Sequence, residues 1–141
     1  MTAMPATESL LLRDARTAVL RLFPGVEAVY AFGSQVDGRA RADSDLDLAV
    51  LGAAPLAPAA RIEAQRELSV ILGIDVDLVD LHKAGAVLRM EVVTRGRLLF
   101  RSAADSVLDF EARVLGEYAD LMDATRELHA DVRERGRVYA R

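Results

Sequence analysis

The amino-acid sequence predicts an α/β fold of the mixed α+β type: a small mixed sheet flanked by helices, with a long helix at the C-terminal end. Three observations support this prediction. Short apolar runs bounded by turn residues indicate strands. Longer stretches with apolar residues three and four apart indicate helices between them. Residues 106–135 are helical in character throughout, interrupted only by Gly116. Helices alternating with short strands are typical of a sheet covered by helices.

The first helix is predicted over residues 7–22, with Thr7 or Ser9 as its cap. The apolar run 26–32 then predicts a strand that stops at Gly33-Ser34. The later elements are predicted in this order: a polar loop through Arg41, a strand over 46–51, a helix over 59–72 that Gly73 ends, a strand over 74–81, a helix over 84–95, a strand over 97–100 and the final helix over 106–135.

Composition and charge narrow the classes of protein. The chain has 141 residues, 52% hydrophobic and 28% charged, which fits one globular domain. It has no cysteine, which excludes disulfides and thiolate metal sites. A net charge of −4 argues against binding long nucleic acid through its phosphate backbone. An acidic protein can still bind ATP when metal ions lie between its carboxylates and the phosphates.

No segment has the pattern of a membrane span or a signal peptide. The longest uncharged stretch, residues 48–60, has 13 residues and contains two prolines. That is too short to cross a bilayer. The N-terminal residues lack the basic and apolar regions of a signal peptide. We therefore expect a cytoplasmic protein that does not bind membranes.

Gly33 and Ser34 follow the first strand directly, where the chain must turn. Because glycine has no Cβ, its backbone can approach a phosphate closely. The N–H groups of a helical turn that begins at Ser34 would point at an anion. Arg39 and Arg41, in the loop that follows, fit a phosphate contact and a solvated loop equally well. The Gly33-Ser34 turn is the candidate phosphate-binding site, with Arg39 and Arg41 as candidate contributors.

Three aspartates are the candidate metal ligands and catalytic residues. Asp45 and Asp47 stand two apart at the start of the second strand, so their side chains project to one side. Such a pair is favourable when a divalent cation lies between, and oxygen-only ligands suit magnesium or manganese. Asp77 is expected on the corresponding face of a neighbouring strand, because Val76 and Leu78 flank it and should face the core.

Two other aspartates of the third strand fit less well, since Asp75 lies near the preceding turn and Asp80 falls out of phase. We expect one magnesium ion, held by Asp45 and Asp47, to carry a triphosphate. A second ion, held by all three acids, would lower the pKa of an acceptor hydroxyl and align it with the α-phosphorus. Asp77 would lie nearest the attacking oxygen and take its proton.

The segment Gly33-Ser34, ten intervening residues and Asp45-Leu46-Asp47 resembles the signature of the polymerase-β-like nucleotidyltransferase superfamily. The short chain and the strand over residues 76–81 are similar to its minimal members, the MntA-like adenylyltransferase antitoxins of type VII toxin–antitoxin systems. The resemblance covers about residues 26–100. It implies that the Gly-Ser turn holds the phosphates of ATP and that the three aspartates bind two magnesium ions. It also implies AMP transfer to a tyrosine of a partner HEPN RNase toxin, which silences the toxin.

Two other functions stay open. One is adenylylation of a small molecule such as an aminoglycoside, although those enzymes usually carry extra helical structure around the substrate. The other is a binding antitoxin that blocks its toxin by occlusion without catalysis. The intact acids argue against occlusion alone, but occlusion and catalysis can coexist.

The chain is predicted to have two parts, a minimal nucleotidyltransferase domain over residues 1–104 and a helical tail over residues 105–141. Apolar or small residues of the tail recur every three or four positions, at Val114, Tyr118, Leu121, Thr125, Leu128 and Val132. Such a heptad seam is typical of helix-on-helix packing. We expect the first half of the tail to pack on its own domain and the second half on a partner protein. Oligomer formation through this helix is left open.

Overall fold

The chain folds into one mixed sheet with helices on both faces. The computed structural model describes residues 9–37 and 45–139. The helices are α1 Leu10–Leu22, α2 Ser34–Asp37, α3 Pro58–Leu72, α4 Ala86–Arg95 and α5 Ser106–Tyr139. The strands are β1 Ala28–Phe32, β2 Leu46–Leu51, β3 Val76–Asp80 and β4 Arg97–Arg101. The predicted mixed α/β fold with a long C-terminal helix is confirmed.

The strands lie in the order β3-β2-β1-β4. β1 runs antiparallel to both β2 and β4, whereas β2 and β3 are parallel. The C-terminal end of β1 therefore lies beside the N-terminal ends of β2 and β3. This end of the sheet collects Gly33, Asp45 and Asp77, which are far apart in sequence, and we refer to it as the acidic end.

Two separate hydrophobic cores hold the sheet between its helices. On the first face, α1 and α3 pack on strand residues such as Leu48, and Leu68 of α3 is fully buried there. On the second face, α4 and the first turns of α5 pack on Ala49, with Val92 and Phe110 buried. Because successive strand residues alternate between faces, β1, β2 and β3 each contribute to both cores, whereas Leu99 of β4 lies in the first core.

The edge strand β3 is secured from its open side by side chains of α3. The Leu78 N–H donates to Gln65 Oε1 at 2.9 Å, and the Val76 N–H donates to Ser69 Oγ at 3.0 Å. Arg61 Nη1 donates to the Leu78 carbonyl oxygen at 3.1 Å. These bonds satisfy backbone groups that an edge strand normally leaves open. They also fix the register of β3 against the rest of the sheet.

Most element ends agree with the sequence. Ser9 Oγ accepts from the Leu12 N–H at 3.3 Å, so Ser9 caps α1; the alternative cap Thr7 lies outside the described residues. Gly73 ends α3 with φ 66°, as its position predicts. Gly116 does not interrupt α5, which continues through it, because a single glycine costs a long helix only about 1 kcal/mol.

α5 belongs to the core only near its start. Val107, Phe110 and Val114 are buried, and beyond Val114 every described side chain is exposed apart from the half-buried Tyr118 and Thr125. The remainder of the helix extends past the sheet. Among the described helices, none is both long enough and apolar enough to cross a membrane.

Candidate active site

Gly33 ends β1 in a conformation that an L-residue rarely adopts, with φ 75°. A Cβ at this position would lie 2.3 Å from Asp47 Oδ2, which is closer than two non-bonded heavy atoms can approach. The sequence predicts a glycine here for access to a phosphate. The structure adds a second reason, because the space that a side chain would need is filled by the Asp47 carboxylate. The turn and the acid are thus built against each other.

Ser34 begins the single helical turn α2, where the sequence predicts only a polar loop or the start of a turn. The Val36 N–H donates to the Gly33 carbonyl oxygen at 3.1 Å and closes this turn. Ser34 is half-buried beside the acidic end. The loop that follows carries Arg39 and Arg41, which lie outside the described residues.

Asp45 and Asp47 lie on the second face of the sheet at the N-terminal end of β2. Leu46 between them is fully buried on the first face, and this alternation places the two carboxylates on the same side. Asp47 pairs with Phe32 of β1 in the sheet register, directly before the Gly33 turn. Asp45 is exposed and Asp47 is half-buried.

Asp77 stands directly opposite Asp47 in the register of the parallel β2–β3 pair. Its neighbours Val76 and Leu78 are 5% and 1% exposed in the first core, so Asp77 itself projects to the second face and is exposed. Adjacent strands lie about 4.8 Å apart, so Asp47 and Asp77 are immediate neighbours across the sheet. The structure thus brings together the three acids that the sequence selects.

Asp80, the acid that falls out of phase in the sequence, is 4% exposed and faces the first core. Its Oδ2 accepts from the Leu56 N–H at 2.7 Å and its Oδ1 from the His82 N–H at 3.0 Å. These bonds satisfy the buried carboxylate and hold the loop after β2. Asp80 therefore has a structural role away from the acidic end.

Negative charge accumulates around Asp47. Burial raises the pKa of its carboxyl group, and the nearby carboxylates of Asp77, Asp45 and Glu91 raise it further, in that order. Each of these effects disfavours the charged form of Asp47. A cation bound among these groups would remove this penalty, so the electrostatics of the acidic end favour a bound cation.

Glu91 is the acidic-end residue that the sequence reasoning does not identify. It lies on α4 next to Val92, which is fully buried in the second core. α4 also ends close to β1, because a Cβ at Gly96 would lie 3.1 Å from the Ala31 carbonyl oxygen. The helix is thereby held over the strand that leads to Gly33. An exposed glutamate on a predicted helix carries no local signal of this proximity.

The chemistry of the donor set fits magnesium, since three carboxylates from two adjacent strands supply only oxygen ligands. In the described residues, however, no three side chains of metal-binding type already converge on a common point. Asp45 and Asp77 are exposed, so rotation of their side chains toward an ion requires no change in the core. What the fold fixes is the shared face of the three carboxylates.

His82 lies outside the acidic end and is part of the contacts between two loops. Its Nε2 lies 2.6 Å from the Gly52 carbonyl oxygen, and its side chain is half-buried. The cap of α4 is Gly85. His82 therefore connects the loop after β3 with the loop after β2, both at the end of the sheet away from the acids.

The chain is similar to known proteins in sequence and in fold. Residues 17–105 match the family model described as polymerase beta, nucleotidyltransferase. The chain is 38% identical over 109 residues to the protein adenylyltransferase MntA of Shewanella oneidensis, a match that covers 77% of this chain and 78% of that protein.

Solved structures give the same result. A crystal structure of a toxin–antitoxin with AMP-PNP superimposes with a TM-score of 0.72 at 35% identity, covering 83% of this chain and 97% of that chain. A structure of the tri-AMPylated Shewanella oneidensis HEPN toxin in complex with MNT antitoxin gives a TM-score of 0.68 at 32% identity, over 86% of this chain and 98% of that chain. With a family model that matches more than half of its length and a relative that matches most of it, this chain belongs to the polymerase beta nucleotidyltransferase family.

Proposed function

We propose that this protein is an adenylyltransferase that transfers AMP from ATP to a tyrosine of a partner HEPN RNase toxin, and that it acts as the antitoxin of this pair. The observation that carries the proposal is the register of Asp77 opposite Asp47, beside the Gly33 turn. Three acids on one face next to a tight Gly-Ser turn suit the binding of a metal–triphosphate complex. The relatives named as an adenylyltransferase and as a complex with an AMPylated toxin support this choice of reaction.

The proposed roles follow from the placement of each residue. The backbone at Gly33 and the hydroxyl of Ser34 hold the phosphates of ATP. Asp45, Asp47 and Asp77 would hold two magnesium ions, which neutralise phosphate charge and lower the pKa of the acceptor hydroxyl when bound. The candidate phosphate contacts of Arg39 and Arg41 stay part of the proposal. Positioning and charge neutralisation account for most catalysis in transfers of this kind.

The bond changes balance as a nucleotidyl transfer. The acceptor oxygen forms a bond to the α-phosphorus of ATP, the bond from that phosphorus to the β-phosphate bridging oxygen breaks, and pyrophosphate leaves. The hydroxyl proton would pass to the Asp77 carboxylate, which is exposed on the second face of the sheet beside Asp47. Because the reaction consumes ATP, we place it in the cytoplasm.

In this proposal the chain has two parts, a catalytic unit formed by residues 1–104 and a tail formed by residues 105–141. The acids and the Gly-Ser turn all belong to the catalytic unit. The first turns of α5 complete its second core through Val107, Phe110 and Val114. The exposed remainder of α5 is assigned to contact with the partner, so binding without catalysis contributes to inhibition in this scheme.

One experiment tests the proposal against its alternatives. The protein is incubated with magnesium, labelled ATP and the product of the reading frame next to its gene, and the intact mass of that product is measured. Mass added in AMP units, absent with Asp45→Asn, supports the proposal. A tight complex without added mass indicates occlusion alone. Label on an aminoglycoside and none on the protein indicates a small-molecule enzyme.

A further inference from the structure

The exposed part of α5 is held firmly where it leaves the core. Arg89 of α4 donates from Nε to the Leu81 carbonyl oxygen at 2.8 Å and from Nη1 to Glu117 Oε2 at 3.4 Å. Its guanidinium also lies 5.8 Å from the centre of the Phe110 ring. On the adjacent turn, the buried Tyr30 hydroxyl donates to Glu111 Oε1 at 2.6 Å. These contacts fix the direction in which the helix projects.

Beyond this base, residues 115–135 form a projecting arm about 30 Å long. One side of the arm continues the apolar seam that begins at the buried Val114. Its aliphatic side chains are exposed, with Leu121 at 41%, Leu128 at 62% and Val132 at 59%. No other described element of the chain covers them. Apolar residues at heptad spacing in a helix fit another helix laid alongside.

The two flanks of this seam differ in charge. One flank is an acidic row formed by Glu117, Asp120, Glu127, Asp131 and Glu134. Glu117 pairs with Arg89 and Asp131 with Arg135, whereas the other three have no ion-pair partner among the described side chains. The opposite flank carries Met122, Arg126, His129 and Arg133. A partner helix must match this asymmetry, because flanking charges set partner and orientation in paired helices.

A second copy of the chain fits the whole length of the seam poorly in either direction. A parallel pair along the whole seam would bring the two Val114 side chains together, but Val114 is 1% exposed and covered by its own sheet. In an antiparallel pair each acidic row would face the acidic row of the other copy, which is unfavourable. The occupant is therefore a different protein.

We propose that the arm binds a helix of the partner protein, one with an apolar stripe along its length and lysine or arginine residues on the flank that meets the acidic row. This rests on the proposed function in one respect, since the partner is taken to be the toxin that the acidic end modifies. The arm then determines which protein is presented to the acids, and the acids perform the transfer.

The test compares three variants of the full chain in AMP transfer to the partner. Leu128→Glu with Val132→Glu places charge in the seam, and Glu127→Lys with Glu134→Lys reverses two unpaired acids of the row. Val70→Glu on α3 is the matched control, because Val70 is 79% exposed and lies outside the arm. We expect both arm variants to raise the KM for the partner at least about tenfold, or 1.4 kcal/mol, with kcat at saturating partner within about twofold of wild type, while Val70→Glu changes neither.

Salt and direct binding separate the outcomes. Added salt should raise the KM of the wild type and have little effect on the lysine variant, since surface charge is screened. Unchanged KM in both arm variants while AMP is transferred overturns the docking proposal alone. Another outcome is that the wild type transfers no AMP while titration calorimetry shows a higher Kd for the partner in both arm variants and an unchanged Kd in Val70→Glu. In that case the proposed reaction fails and the docking proposal stands. A further outcome is that the wild type forms a dimer that dissociates in the variant Leu128→Glu with Val132→Glu, while the Kd for the partner is unchanged. That result would assign the seam to a second copy of the chain and would also overturn the docking proposal.

Discussion

The Gly33 backbone and the Asp47 carboxylate occupy adjoining space, with a Cβ at position 33 lying 2.3 Å from Asp47 Oδ2. The Gly33-Ser34 turn and Asp47 are therefore one structural unit, although thirteen residues separate Gly33 from Asp47 in the chain. Any side chain at position 33 must displace the carboxylate. The turn thus limits the orientations that are open to the Asp47 side chain.

Gly33→Ala should abolish nucleotidyl transfer. The left-handed φ alone costs about 1 to 2 kcal/mol for an L-residue, and the overlap forces Asp47 out of place. Gly73→Ala is the matched control, because Gly73 has φ 66° and no atom within 4 Å of the added Cβ. Both variants should have a lower melting temperature than the wild type, whereas only Gly33→Ala should lose nucleotidyl transfer. Full activity of Gly33→Ala would contradict the tight packing of turn and acid.

Asp47→Asn should stabilise the protein at neutral pH in the absence of divalent ions. The folded-state pKa of Asp47 is raised above its ordinary value of 3.8, so the native state binds this proton more tightly than the unfolded chain. Stability therefore falls as the pH rises from 3.8 through the raised pKa. Melting temperatures of the two proteins should converge toward pH 3.8 and separate above it. A variant that melts below wild type at pH 7 would argue against this cause.

Magnesium should reverse the difference in melting temperature between the wild type and Asp47→Asn. A divalent ion bound among the acids binds the native wild type and raises its melting temperature by mass action, whereas Asp47→Asn should respond weakly. The same variant, and Asp45→Asn, should lose transfer while remaining folded. More than a few per cent of wild-type activity in either variant would count against the proposed mechanism.

Asp77→Asn should lose transfer, and Asp75→Asn should retain most of it. Both side chains are exposed, and since they are two residues apart they project to the same face of the sheet. Only Asp77 stands opposite Asp47 in the sheet register. The two substitutions remove the same charge two residues apart. Single-turnover rates with ATP and the partner compare them directly. Equal losses at both positions would mean that general acidity, rather than the position of Asp77, matters.

Deleting residues 124–141 should leave the melting temperature nearly unchanged and weaken the complex with the partner. No described side chain beyond Val114 is buried in the core, so the deletion removes little apolar contact. Differential scanning calorimetry measures the first effect and titration calorimetry the second. A large loss of stability would show that the tail supports its own domain, and unchanged partner affinity would refute the docking role.

The sequence was sufficient for features that depend on local alternation. The acids at 45 and 47 and the flanking of Asp77 by Val76 and Leu78 follow from the two-residue period of a strand. The glycine at 73 likewise marks a helix end through its conformation. The strand order, and with it the pairing of Asp47 with Asp77, depends on long-range contacts that no local pattern encodes.

Other features required the folded chain. Glu91 reaches the acidic end because α4 is packed on β1 through Val92 and the close approach at Gly96. His82 is held by Gly52, which lies 30 residues away. Neither contact leaves a trace in the spacing of apolar residues along the chain, so sequence reasoning identifies neither of them.

Gln65 and Ser69 of α3 affect the acidic end indirectly, because they hold the strand that carries Asp77. By bonding to the outer edge of β3, these two uncharged side chains prevent a slip of one residue, which would turn Asp77 into the apolar layer and bring a valine or leucine forward. Substitutions on α3 can therefore move Asp77 away from the acidic end while every acid is still present in the sequence.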